Sequence, residues 1–316
     1  VAGSSLPMVN SLVIPTTDVQ PSSTSGDAQS AAATETPNTA FFFVTPDFFS
    51  TMGARLVRGR DLGTGDTVLS QWVVVVNETA ARNLWPGEDP TRAVVLLHGL
   101  GANRLQMLPR AKWLHEAGYS VLLFDFPGCG ESGGHSTLAF AEHYDEEGAL
   151  KFLGEKKTVK QMAIVAQSMG AAAGVMAVEH WADVRGAVLE GLYDRLENAI
   201  RARVRRRVGW LEGVLAPPLL WQVRPRLGFP PEDLAPVKQI GKAKCPILLG
   251  YGGKDRTVSP ASIRALFAAG PYPTTLWVLQ LAGHEDLYRF DPPAYQAKIG
   301  EFIRQALGPP VAESGK

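Results

Sequence analysis

The sequence predicts an α/β fold, a mainly parallel central sheet flanked by helices, and three observations predict it. From Arg92 onward, short unbroken runs rich in Val, Leu and Ile recur at 94–97, 121–126, 163–166, 187–189, 247–251 and 276–279; such runs suit strands buried on both faces rather than half-exposed ones. Helical patterns at about 104–117, 137–153, 170–180, 259–268 and 294–307 alternate with them, as parallel crossovers require. One stretch, 191–231, interrupts the rhythm with helix but no strand.

Before this alternation the chain reads differently. Residues 1–40 form a flexible tail, because Thr16 to Ala40 is mostly Ser, Thr, Ala, Pro and Gln, too poor in large apolar side chains to order itself. Residues 41–90 read as a small module. Phe41 to Val44 is an apolar run that should pair with a sheet or dock on a core, Trp72 to Val76 is a strand, and Asn77 caps a helix that Pro86 and Gly87 stop. One strand and one helix bury too little surface to stand alone, so the module either packs on the following domain, extending its sheet, or remains loosely folded. The stretch "PDFFSTMGARLVRGRDL" leading into "VVNETAARNLWPGEDP" resembles the end of the extracytoplasmic core domain in permease subunits of macrolide-exporter-type ABC transporters. That resemblance covers about residues 46–90 only and, without flanking membrane helices, does not imply transport.

Composition narrows the function classes. The 31 basic and 31 acidic side chains cancel, so no global field steers the chain to nucleic acid or an anionic membrane. No apolar run is long enough to span a bilayer. With two cysteines, Cys129 and Cys245, there is no disulfide framework. No CxxC pair, HExxH helix or compact His/Cys/carboxylate cluster suggests a metal, and no cofactor fingerprint is present. Residues 1–20 lack the basic-then-apolar order of a secretory leader, which favours the cytoplasm, while a start at Val1 is also what processing would leave.

The first half of the predicted core, 91–190, contains the nucleophile. The strand at 161–166 and the helix starting at Gly170 are separated only by Gln167, Ser168 and Met169. So sharp a turn lifts a serine Oγ clear of the sheet and points helix N–H groups at developing negative charge. Gly170 supplies the small residue such a turn needs; position 166 is Ala where the GxSxG pattern has Gly. A serine after a strand is also an ordinary helix cap, so its partners decide. In the second half, 232–307, the strand 247–251 runs into Gly252-Gly253-Lys254-Asp255, and the strand 276–279 is followed by Gly283-His284. Ser168, Asp255 and His284 therefore stand on three loops at one edge of a parallel sheet, in the chain order of nucleophile, acid and base. His284 takes and returns the serine proton; Asp255 fixes its tautomer. Glu190, just past the strand 187–189, is the alternative acid, and Asp255 could instead cap the helix after Val258. The backbone N–H groups of Leu100 and Met169 form the predicted oxyanion site, with His98 structural. His115, His135, His143 and His180 read as surface or local hydrogen-bonding groups.

In the insertion, Leu192, Leu196, Ile200, Val204 and Val208 recur every four residues, with Arg195, Arg201, Arg203, Arg205, Arg206 and Arg207 on the polar side, and Pro217-Pro218 breaks the segment. It is either a helical lid bearing an acyl pocket or a solvated helical cover on a sheet edge. Residues 308–316 are a C-terminal tail.

The motifs "HGLGAN", "DFPGCGESGG", "CPILLGYGGKDRTVSP" and "AGHEDLY" are similar to those of the α/β-hydrolase superfamily, close to serine esterases and peptidase-like hydrolases, over about residues 92–307. The resemblance implies a mainly parallel eight-stranded sheet that begins with a hairpin, a place Phe41 to Val44 and Trp72 to Val76 could fill. It also implies acyl-ester or amide hydrolysis through an acyl-enzyme. The expected activity is a serine carboxylesterase acting on short- to medium-chain acyl esters; a peptidase or thioesterase would use the same residues, and a noncatalytic binding or transporter-associated protein is the alternative of a different class.

Overall fold

A computed structural model describes residues 89–309, with Lys157 excepted. The readings for residues 1–40, for most of the module at 41–90 and for most of the tail at 308–316, and the permease resemblance over 46–90, lie outside the described residues.

The described residues form one sheet of six parallel strands in the order β2-β1-β3-β4-β5-β6. These are β1 Asp89–Leu97, β2 Tyr119–Leu123, β3 Gln161–Gln167, β4 Val184–Glu190, β5 Ile247–Gly252 and β6 Thr274–Leu279. The crossovers carry α1 Leu108–Glu116, α2 Glu142–Gly154 and α3 Met169–Met176. Between β4 and β5 come α4 Leu196–Val208, α5 Glu212–Trp221, α6 Val223–Leu227 and α7 Pro236–Gln239. Then follow α8 Pro260–Ala269, α9 Leu287–Phe290 and α10 Pro292–Leu307.

The apolar runs work as expected of two-sided burial. Along β1, Ala93, Val95 and Leu97 face one core together with Leu150 and Leu153 of α2, the alanines of α3 and Leu266 of α8. The alternate residues Val94 and Leu96 face the other core with Leu114 of α1 and Tyr295, Ile299 and Ile303 of α10. Each such fully buried Val or Leu contributes about 1.5–3 kcal/mol by leaving water. The helix α10 shows how sequence sets an element's ends. Asp291 accepts from the Ala294 N–H at 3.1 Å, prolines occupy the first turn, and Gly308 leaves the helix at φ +75°.

Two expectations need correction. The apolar run at 121–126 is a strand only to Leu123; Phe124 to Phe126 continues as a loop whose apolar residues are held by stacking, with Phe124 and Phe126 edge-to-face at 5.2 Å. Pro217 and Pro218 do not break the insertion but sit inside α5. The N–H groups they lack would have met the carbonyls of Gly213 and Val214, in the first turn, where Val214 is exposed and water can serve instead.

The strand order reverses direction between β1 and β3, and in open α/β sheets the ligand crevice lies beyond the carboxyl ends at such a switch. Ser168 and the loop after His98 flank that point. No helix among the described residues is long and apolar enough to cross a membrane.

Candidate active site

Ser168 sits between β3 and α3 at φ +50°, ψ −108°, a backbone conformation that non-glycine residues adopt only where the surroundings enforce it. What enforces it is close packing of α3 on the sheet. A Cβ on Gly170 would lie 2.6 Å from the His98 carbonyl oxygen and 2.8 Å from Leu97 backbone atoms, so no side chain fits there. Ala166, by contrast, lies fully buried within β3, paired with Leu97 and Leu189, and its methyl joins the core. Strain in this elbow is concentrated at 168 and crowding at 170, which explains why alanine is accommodated at 166.

The structure brings Ser168, Asp255 and His284 together. Ser168 Oγ is 3.1 Å from His284 Nε2, and His284 Nδ1 is 2.8 Å from Asp255 Oδ2. The other Asp255 oxygen accepts from the Thr257 and Val258 N–H groups at 2.6 and 2.9 Å. Asp255 does not cap α8, whose cap is Ser259. An ionised Asp255 only accepts hydrogen bonds, so His284 Nδ1 carries the proton and Nε2 faces the serine hydroxyl with its lone pair. The Asp255 side chain is 2% exposed and that of His284 18%, so the acid is sealed while the imidazole reaches the crevice.

The glycines before Asp255 have a physical purpose. A Cβ on Gly252 would overlap the Gly283 carbonyl, and one on Gly253 would lie 2.5 Å from the Gln280 carbonyl. Their absence lets the acid-bearing loop lie directly against the histidine-bearing one, joined by Gly253 N–H to Leu279 O at 2.7 Å and Lys254 N–H to Ala282 O at 2.8 Å. Gly191, which sequence reading used only as a boundary, serves likewise: a Cβ there would stand 3.0 Å from His284 Cε1.

Around the predicted oxyanion donors, Gly99 N–H is already given to Gln106 Oε1 at 2.9 Å. Leu100 and Met169 have no hydrogen-bonded N–H among the described residues. His98 is fully buried and both ring nitrogens are engaged, Nδ1–H toward the Gly99 carbonyl at 2.9 Å and Nε2 accepting from Phe126 N–H at 3.0 Å. Burial holds its pKa below the ordinary value, so it is a neutral strut for the loop. The "DFPGCGESGG" turn wraps Asp125. This carboxylate accepts from the Arg104 and Glu131 N–H groups and pairs with the Arg104 guanidinium. Burial opposes its charge, but these bonds outweigh it and hold its pKa low. Gly130 is needed because a Cβ would overlap the Asp125 carboxylate. Of the remaining histidines, His143 Nδ1 meets the Phe140 carbonyl and His180 faces Glu147.

Glu190, the alternative acid, is committed elsewhere. Its carboxylate lies 2.7 Å from Arg110 and accepts from the Tyr295 hydroxyl, while Arg110 also donates to Asp286 at 3.0 Å and to Tyr295 Oη at 3.0 Å. Burial works against the Arg110 charge, but Glu190, Tyr295 and Asp286 outweigh it and hold the guanidinium protonated. The Glu190 carbonyl accepts the Ser168 N–H at 2.7 Å, so this buried cluster abuts the nucleophile turn. Sequence reasoning missed Arg110: in a helical pattern a buried arginine looks like any surface one.

A cavity of about 950 Å³ runs between α4 and α5 and opens onto Thr257 and His284. Ile200, Val204 and Val208 form one wall and Leu215, Pro218 and Leu219 the other, with Arg203, Arg206 and Arg207 also lining it.

Comparison with known proteins agrees with this fold. Residues 88–228 match the family model described as "Serine aminopeptidase, S33". The uncharacterized protein YqkD of Bacillus subtilis is 23% identical over 221 residues, 68% of this chain and 72% of that one. The esterase Pf2001 of Pyrococcus furiosus superposes with a TM-score of 0.57 at 23% identity, covering 70% of this chain and 84% of that one. A monoacylglycerol lipase of Paleococcus ferrophilus gives 0.51 at 21% identity, covering 70% and 96%. With the parallel sheet and these structural likenesses in agreement, the chain has the α/β-hydrolase fold, and its residues 88–228 are similar to a serine-hydrolase family.

Proposed function

We propose that this chain is a carboxylesterase acting on short- to medium-chain acyl esters, with Ser168 as nucleophile, His284 as base and Asp255 as orienting acid. The observation that carries the reading is the 3.1 Å approach of Ser168 Oγ to His284 Nε2 at the mouth of an apolar cavity. Ser168 Oγ attacks the carbonyl carbon as its proton passes to His284 Nε2. The N–H groups of Leu100 and Met169 receive the oxyanion, and the alkoxide leaves with the proton from His284, leaving an acyl-serine. Water then gives His284 a proton as it attacks, the ester to serine breaks, and the proton returns to Ser168 as the acid departs.

The lining argues for a neutral or anionic substrate rather than a free amino terminus. An aminopeptidase must hold an ammonium group, yet the cavity is lined by three arginines and no carboxylate. A series of 4-nitrophenyl esters of increasing acyl length tests the proposal. We expect turnover of the shorter members and its loss by about 10⁶-fold in Ser168→Ala. Equal activity in wild type and Ser168→Ala would refute the mechanism.

A further inference from the structure

The helix α4 carries five arginines that divide into two sets. Arg201 and Arg205 are neutralised by one carboxylate, Glu212, at 2.8 and 2.9 Å. Arg203, Arg206 and Arg207 line the cavity instead and have no acidic partner within ion-pair distance among the described residues. The chain's basic and acidic side chains balance overall, so this is a local concentration of charge rather than the overflow of a basic protein.

The arginines stand at a defined place relative to the chemistry. One cavity is lined both by His284 and by these three arginines. From Ile200 to Arg207 is a rise of about 10 Å along the helix axis. The cavity's remaining lining is mostly apolar, with Val204, Leu215, Pro218 and Leu219 beside Gln222 and Thr257. The planar fork of a guanidinium matches a carboxylate or phosphate in a two-bonded pair.

Resting on the esterase reading above, we infer that Arg203, Arg206 and Arg207 form an anion-reading wall. The ester cleaved at Ser168 carries a carboxylate or phosphate separated from the scissile carbonyl by an apolar spacer. The anion can belong to either side of the ester, and the two sources are separable.

For the acyl side, kcat/KM is measured for mono-4-nitrophenyl esters of straight-chain dicarboxylic acids against 4-nitrophenyl alkanoates of equal carbon number. For the alcohol side, fatty acid release from 1-acylglycerol 3-phosphate is compared with release from the matching 1-acylglycerol. In at least one arm the anionic substrate is expected to be favoured by about tenfold or more. That ratio should fall towards one in Arg203→Gln/Arg206→Gln/Arg207→Gln, and in wild type at 0.5 M NaCl through screening. In the single change Arg206→Gln, at an exposed position that does not endanger folding, it should fall part of the way. Neutral substrates turned over as well as anionic ones in both arms, or a ratio that survives the arginine changes, would overturn the inference while leaving the esterase reading intact. Loss of turnover on every substrate, in protein that still folds, would instead strike at the esterase reading.

Discussion

Two polar clusters meet at the carboxyl edge of the sheet, and they are opposites. The Ser168, His284 and Asp255 group hangs on three loops and keeps one member partly open, His284 at 18% exposure. The Arg110, Glu190, Tyr295 and Asp286 group joins α1, β4, α10 and the start of α9, with Arg110 wholly buried and Glu190 nearly so. They share a boundary, since Asp286 lies two residues beyond His284 and the Glu190 carbonyl binds the Ser168 N–H. The difference teaches a division of labour. Charge exposed to the crevice can move protons to a substrate, whereas charge sealed behind it can only hold the loops in place.

The sharpest way to break the comparison is to disable one cluster at a time. Asp255→Asn removes the acceptor that fixes the His284 tautomer, and kcat should fall by about 10⁴-fold with little change in the urea midpoint. A fall of less than tenfold would show that the imidazole is oriented by something else. Arg110→Met should do the reverse, lowering stability by about 3–5 kcal/mol because Glu190 is left buried and unpaired. Adding Glu190→Gln to that variant should recover part of the loss; an unchanged urea midpoint in Arg110→Met would remove the cluster from any structural role.

A third buried acid sharpens the contrast by having no cation at all. Glu146 on α2 accepts from Trp181 Nε1 at 3.1 Å through one oxygen, while the other has no partner among the described residues. Burial pushes its pKa from 4.5 up to about 8. The folded chain thus retains a proton that the unfolded chain releases. Stability should therefore fall as pH rises through the window from about 4.5 to about 8, by about 1.4 kcal/mol per pH unit at most. Glu146→Gln should flatten this slope in urea melts across that range; parallel slopes for wild type and variant would place the pH dependence elsewhere.

These clusters also show what a sequence discloses. Ser168, Asp255 and His284 were legible because each follows an apolar strand directly, and strand ends in a parallel sheet converge on one edge. The packing glycines 252 and 253 stood out as residues, but their purpose needed the neighbouring loop in space. Arg110 was invisible because the partners that make its burial tolerable lie about 80 to 185 positions away in the chain. The two prolines of α5 misled because local propensity says break, while a solvated first turn lets the helix continue. The run ending at Phe126 overextended its strand because burial alone, without a pairing partner, does not distinguish strand from packed loop.

The helices α4 and α5 lie wholly within the connection from β4 to β5 and contribute no strand to the sheet. Trp210 in the turn between them and Trp221 at the end of α5 are exposed, at 86% and 77%, while residues of both helices line the cavity. For the proposed esterase, the stretch that lines the substrate cavity is thus contiguous in the chain and separate from the strands that carry Ser168 and Asp255. For protein engineering this makes the cavity-lining positions between 200 and 219 a single stretch in which libraries can be built, with Leu196 and Ala199 kept because they belong to the core.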